Sequence, residues 1–103
     1  MKNDQLKDLI GKIADKQDKS AFGGIFNYFA PRVMGYLINS GSSKEIAEEI
    51  TQEVLSVVWQ KSNQFNHSRG SVSTWIFTIA RNKKIDRLRK NKSSLYNNLE
   101  LID

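Results

Sequence analysis

Cysteine is absent from the 103-residue sequence, and proline and histidine occur once each, as Pro31 and His67. Without cysteine there are no disulfides, thiolate metal ligands or cysteine nucleophiles, a composition compatible with a reducing cytoplasm. No apolar run reaches the ~18 residues of a membrane-spanning helix. Residues 1–19 are polar with charges of both signs, unlike a secretory signal. We therefore expect one small cytoplasmic domain with no membrane partner.

Groups suited to catalysis or metal binding are equally scarce. His67 is isolated in a polar stretch, whereas zinc sites usually combine several histidine and cysteine ligands. Glu49 and Glu53 are four residues apart and repel each other mildly, and their periodicity places them on the solvent side of a helix. The sequence also lacks a glycine-rich phosphate loop. It therefore predicts a binding module rather than an enzyme, with no catalytic residue, no metal and no cofactor.

Apolar residues recur at helical spacing along the chain, and no alternating strand pattern of useful length occurs. The spacing predicts an all-α, compact bundle of about four helices, at residues 4–16, 20–39, 43–61 and 71–92. We assign residues 1–92 to this domain and residues 93–103 to a linker or short docking tail. The apolar stripe of the second helix is predicted to form the centre of the core: Phe22, Ile25, Phe26, Phe29, Val33, Tyr36 and Leu37.

Helical periodicity does not determine what the aromatic residues of the third and fourth helices pack against. The fourth helix has one apolar stripe with Trp75 and a second, about half a circle away, with Phe77, Ile85 and Leu88, so we expect it to contact different neighbours along its length. In the third helix, Trp59 falls among polar side chains, away from the valine stripe. It either folds over a neighbouring helix or is presented to a partner, since large aromatics ringed by polar groups are enriched at interfaces.

Charge is strongly segregated within a chain of net charge +5. Residues 44–53 hold four glutamates against one lysine, and residues 81–92 hold seven lysines and arginines against Asp86. The basic segment is either a solvated helix end, where cations favour the helix dipole, or a phosphate-binding surface. Aromatic residues next to a basic tract are also the combination that binds single-stranded nucleic acid by stacking and phosphate contact.

Several stretches, in this order, resemble region 2 of the extracytoplasmic-function sigma factors of bacterial RNA polymerase. Residues 21–33 are similar to the first conserved helix of that family. The other matching stretches are EITQEV at 49–54 with Trp59, Phe65-Asn66 with Arg69-Gly70, TWIFTIARN at 74–82, and IDRLR at 85–89. The resemblance covers most of the chain, and the TWIFTIARN run followed by basic residues is its most specific part.

The resemblance implies a helical domain that binds core RNA polymerase and melts the minus-ten promoter element by capturing a flipped non-template base, which directs transcription initiation. The implied contacts with the clamp helices of the largest polymerase subunit are Glu49, Gln52, Glu53, Ser56 and Trp59. The implied flipped-base pocket and loop are Phe65, Asn66, His67, Ser68, Arg69, Gly70, Ser71, Trp75, Asn82 and Asp86. The implied phosphate contacts are Arg81, Lys83, Lys84, Arg87, Arg89 and Lys90.

A complete factor of this family also has a second helical domain that reads the minus-thirty-five element. The 103 residues are too few to include it, which predicts an isolated region 2 or a truncated protein, with an anti-sigma factor as a further expected partner. Two other interpretations are a dimeric repressor of duplex DNA and a bundle that binds only proteins. The long helices and acidic face fit the repressor poorly, and the protein-binding bundle would leave the basic tract with a role in solubility alone.

Overall fold

The computed structural model describes the backbone of residues 1–102 and the side chains of residues 1–91. The α-helices are α1 (Asn3–Lys16), α2 (Lys19–Asn39), α3 (Lys44–Lys61) and α4 (Val72–Ile102), with a 3₁₀ helix at Ser62–Gln64. Residues 1–102 contain no strand. The predicted all-α bundle of about four helices is therefore confirmed. The predicted linker or docking role of residues 93–103 concerns side chains outside the described residues and stays a prediction.

The core lies between the inward stripes of the four helices. Helix α1 packs on α2, α2 on α3, and α3 on α4. The largest fully buried side chains come from all four helices: Leu6, Ile10 and Ile13 from α1, Ile25, Phe29, Val33 and Leu37 from α2, Ile50, Val54, Leu55 and Val58 from α3, and Ile76 from α4. Each such side chain contributes about 1.5–3 kcal/mol through burial, so the shared core determines the relative placement of the helices. Within the described part of the chain, no helix is long and apolar enough to cross a lipid bilayer.

Two side chains that we predicted to pack inward are exposed instead. Phe26 is 42% exposed, because it lies about 100° around α2 from the fully buried Ile25. Its ring meets that of the half-buried Phe22 at a centroid distance of 6.1 Å. Leu88 is 52% exposed. It lies beside the turn at residues 40–43, beyond the end of α2, where an open cavity of about 210 Å³ replaces a packing partner.

Candidate nucleic-acid interface

The loop of residues 65–71 connects the 3₁₀ helix to α4 and begins at a buried aromatic ring. Phe65 is only 6% exposed, and its ring centroid lies 5.4 Å from that of Trp75 at an angle of 47°. The exposed His67 ring is also edge-to-face with Phe65, with the two ring centroids 4.9 Å apart. Phe65 therefore fixes the loop against the side of α4 that contains Trp75.

The middle of the loop is shaped by its own polar groups. The Asn66 side-chain oxygen accepts hydrogen bonds from the Ser68 backbone N–H at 3.0 Å and from the Ser68 hydroxyl at 2.6 Å. Gly70 has a φ of +90°, a conformation that side chains with a Cβ rarely adopt. These two local constraints leave Asn66, Ser68 and Arg69 exposed on a turn of defined shape.

Helix α1 holds the far side of the loop through two contacts that the sequence did not reveal. The Lys7 ammonium donates to the His67 carbonyl at 2.8 Å, and the Val72 backbone N–H donates to Asn3 Oδ1 at 3.1 Å. Ser71 completes the start of α4 by accepting from the Thr74 backbone N–H at 3.1 Å. No local pattern could have identified Asn3 or Lys7, because their partners lie 69 and 60 residues further along the chain.

We expect Asn3→Ala to destabilise the domain by about 0.5–2 kcal/mol, because the Val72 N–H at the start of α4 would lose its side-chain acceptor. Chemical denaturation measures the loss, and hydrogen exchange at the Val72 amide locates it. Asp4→Ala, at the neighbouring exposed position, is the control. Equal exchange at Val72 in Asn3→Ala and in the unaltered protein would contradict this role for Asn3.

The three helix residues implied in the base pocket lie on one side of α4, although Asn82 and Asp86 are about 10.5 Å and 16.5 Å from Trp75 along the helix axis. Trp75, Asn82 and Asp86 are separated by seven and four residues, which places them within about 40° around the helix axis. Trp75 is half-buried beneath the loop, and Asn82 and Asp86 are exposed. The contact between Phe65 and Trp75 joins this side of α4 to the loop. We call the exposed loop residues and this side of α4 the loop face.

The six implied phosphate contacts do not share one surface. Arg81, Arg89 and Lys90 are exposed, and Lys83 and Lys84 are half-buried. Successive residues of an α-helix turn by about 100°, so these cations surround α4 instead of lining one side. A single strand that crosses α4 would therefore meet only part of the set at any one position.

Arg87 differs from the other cations because it is already paired. Its guanidinium donates to Glu49 at 2.9 Å and to Glu53 at 3.3 Å. The hydrogen bond with Glu49 is the main cause of a raised Arg87 pKa. Both glutamates are substantially exposed, so each ion pair contributes only about 0.2–1 kcal/mol. The pairs nevertheless connect an implied polymerase contact on α3 to an implied phosphate contact on α4.

The implied polymerase contacts lie along the outer side of α3. Gln52, Glu53 and Ser56 are exposed, as is Glu49. Trp59 is half-buried, with its ring edge-to-face on Phe22 of α2 at 5.2 Å. Trp59 therefore folds over the neighbouring helix and leaves only part of its ring at the surface. We call Glu49, Gln52, Glu53, Ser56 and the exposed edge of Trp59 the α3 face.

These features define a helical domain with a polar, acidic α3 face and a separate loop face next to a basic helix. Residues 25–94 match the Sigma-70 region 2 family. The ECF RNA polymerase sigma factor RpoE of Cereibacter sphaeroides is 52% identical over 84 residues, which cover 82% of this chain and 46% of that protein. SigK of Mycobacterium tuberculosis is 30% identical over 84 residues, covering 82% of this chain and 44% of that one.

A solved structure shows the same fold. Rhodobacter sphaeroides SigE, determined in complex with the anti-sigma ChrR, superposes with a TM-score of 0.75 at 49% identity, covering 77% of this chain and 51% of that chain. The chain thus spans about half the length of these relatives. It belongs to the Sigma-70 region 2 family and is similar to the extracytoplasmic-function members, which confirms the resemblance seen in the sequence.

Proposed function

We propose that this domain binds core RNA polymerase through the α3 face and opens the minus-ten promoter element through the loop face. The observation that supports this best is the position of Trp75. Trp75 is half-buried against Phe65 where the polar loop meets α4, on the same side of the helix as Asn82 and Asp86, in a chain of the sigma region 2 family. An aromatic floor with polar groups around it suits one unstacked base, which stacks on the ring and hydrogen-bonds through its edge.

In this proposal the domain lowers the free-energy cost of separating the two promoter strands. Extruding one base costs a few kcal/mol, and stacking on an aromatic ring returns about 1–3 kcal/mol. Side-chain amide, imidazole and guanidinium groups of Asn66, His67 and Arg69 would read the base edge, while Arg81 and Arg89 would bind phosphates. Because Phe65 is buried, its part is to support Trp75 and the loop from beneath. The domain forms and breaks no covalent bond in this process.

The same proposal includes an anti-sigma factor as a regulatory partner. The supporting fact is that the solved relative SigE was determined in complex with the anti-sigma ChrR. By its resemblance to the family, region 2 would leave recognition of the minus-thirty-five element to a second helical domain. Region 2 alone is therefore expected to supply polymerase docking and strand capture, with weaker promoter binding than a complete factor.

The function is tested by measuring binding of the chain to core polymerase, to a single-stranded non-template oligonucleotide of the minus-ten element and to the matching duplex. We expect polymerase binding and a preference for the single strand that weakens steeply as salt rises. Tight binding of a dimer to intact palindromic duplex would instead favour the repressor. Absence of nucleic-acid binding at low salt would favour the bundle that binds only proteins.

Gln52→Ala combined with Ser56→Ala is expected to weaken polymerase binding by about 5- to 30-fold, the range of an interface hot spot of about 1–2 kcal/mol. Both side chains are exposed on α3, so the domain should remain folded. Asn27→Ala removes an exposed amide from α2 and is the matched control. Trp59→Ala is unsuitable alone, because it also removes the packing on Phe22. Undiminished binding by the double variant would exclude these two residues from the interface.

A further inference from the structure

The turn at residues 66–69 lies outside the core of the bundle. The Arg69 backbone N–H donates to the Asn66 carbonyl at 3.0 Å and closes this turn. All four of its residues are exposed, whereas Phe65, which precedes them, is buried. Together with the hydrogen bonds between Asn66 and Ser68, the closing bond fixes the internal shape of the turn. These bonds do not fix the direction in which the turn points relative to α4.

Lys7 of α1 holds the turn from outside the loop. Its ammonium donates to the His67 carbonyl at 2.8 Å. Within residues 1–91, Lys7 is the one side chain of another element that hydrogen-bonds to residues 66–70. A hydrogen bond from an ionised donor is stronger than one between neutral groups. Because the acceptor is a backbone carbonyl, the contact occupies none of the loop side chains that would read a base.

The core of the bundle in turn holds Lys7. Lys7 follows the buried Leu6 and lies three residues before the buried Ile10. Helix α1 packs on α2 and also contacts the 3₁₀ helix and α4. Lys7 is itself half-buried, so part of its side-chain freedom is lost before any DNA binds. Its ammonium is therefore anchored to the same core that positions α4.

We propose that Lys7 is a positioning residue for base capture, which keeps the turn at residues 66–69 at the angle to Trp75 that lets a flipped base be stacked and read together. This inference rests on the proposed function for the identity of the ligand. Only molecules in which the turn already has this orientation capture the base, so the apparent affinity falls with their fraction. A turn that is ordered before binding also loses less conformational entropy. Lys7 thus strengthens recognition of the base without touching it.

The test compares a non-template oligonucleotide of the minus-ten element with copies that each have one abasic nucleotide. For the unaltered chain, the position at which base removal weakens binding most identifies the captured base. Lys7→Met keeps the length of the side chain and removes the ammonium. We expect it to weaken binding of the intact oligonucleotide by about two- to tenfold, the contribution of one hydrogen bond. Binding of the copy that is abasic at the captured position should be nearly unchanged, because it offers no base to capture.

Two control variants separate positioning from charge. Lys7→Arg keeps a cationic donor and should keep most of the ratio of intact to abasic affinity. Lys16→Met removes the same charge from an exposed position of α1 and should leave this ratio unchanged. Chemical denaturation checks that each variant is folded, and we expect little loss of stability in Lys7→Met because its hydrogen bond is exposed.

Three results would overturn the inference in distinguishable ways. An unchanged ratio of intact to abasic affinity in Lys7→Met would retain the proposed function and remove Lys7 from base capture. Equal losses for both oligonucleotides, with a slope of log affinity against log salt lower by about 0.7 than in Lys16→Met, would make Lys7 a phosphate contact. If base removal weakened binding of the unaltered chain at no position, the proposed base capture and the role of Lys7 would fall together.

Discussion

Replacing Arg81, Lys84 and Arg89 together with alanine is expected to lower the affinity for single-stranded DNA on the order of 100-fold at 50 mM salt. Each neutralised phosphate of a single strand contributes about 0.7 to the slope of log affinity against log salt, so the slope should fall by about 2. Arg81 and Arg89 are exposed and Lys84 is half-buried, and the three lie within about 140° of one another around α4, so a strand that follows this side of the helix would meet them. Fluorescence anisotropy over a series of salt concentrations measures both quantities.

Two controls distinguish phosphate contact from bulk charge. A triple alanine variant of Lys16, Lys19 and Lys44 removes the same charge from exposed positions elsewhere on the molecule and should keep a nearly unchanged slope. Arg87→Ala should change the slope less than Arg89→Ala, because Glu49 and Glu53 already neutralise much of the Arg87 charge. Equal losses in both triple variants would mean that the basic helix attracts DNA only through the net charge of the domain.

Phe29→Ala is expected to destabilise the domain by about 3–5 kcal/mol, a large share of the total of about 5–15 kcal/mol typical of folded domains. Phe29 is fully buried and contacts Tyr28 at 4.9 Å and Phe77 at 6.4 Å. Its removal would leave a cavity where α2 meets α4. Chemical denaturation measures the loss, with the midpoint falling and the denaturant slope unchanged if unfolding stays two-state.

Phe26→Ala is the matched control, since it makes the same chemical change three residues before Phe29 on the same helix. Phe26 is 42% exposed and its ring contact is with Phe22, so we expect a much smaller loss of stability. A loss for Phe26→Ala as large as that for Phe29→Ala would mean that the edge of the bundle, rather than its centre, contributes most to stability. The pair therefore tests the placement of the core directly.

Helix locations were predictable because the evidence for them is local. The apolar stripe predicted for the second helix includes Ile25, Phe29, Val33 and Leu37, and all four are buried. The same reasoning was wrong for Phe26 and Leu88. Apolar spacing specifies an angle around a helix, but whether another helix is present at that angle depends on the length and direction of its neighbours. At Leu88 the neighbouring helix α2 has already ended.

The candidate sites, like the fold, were predictable from the sequence only in part. The sequence by itself determined the four-helix class, the segregation of acidic and basic residues, and a resemblance to sigma region 2 that the comparisons confirmed. Only the tertiary structure decided that Trp59 folds over Phe22, that Arg87 pairs with glutamates of α3, and that Asn3 completes the start of α4. The physical reason is distance along the chain. Helical periodicity and charge are encoded within a few residues, whereas these contacts join residues that only the packing of the whole bundle brings together.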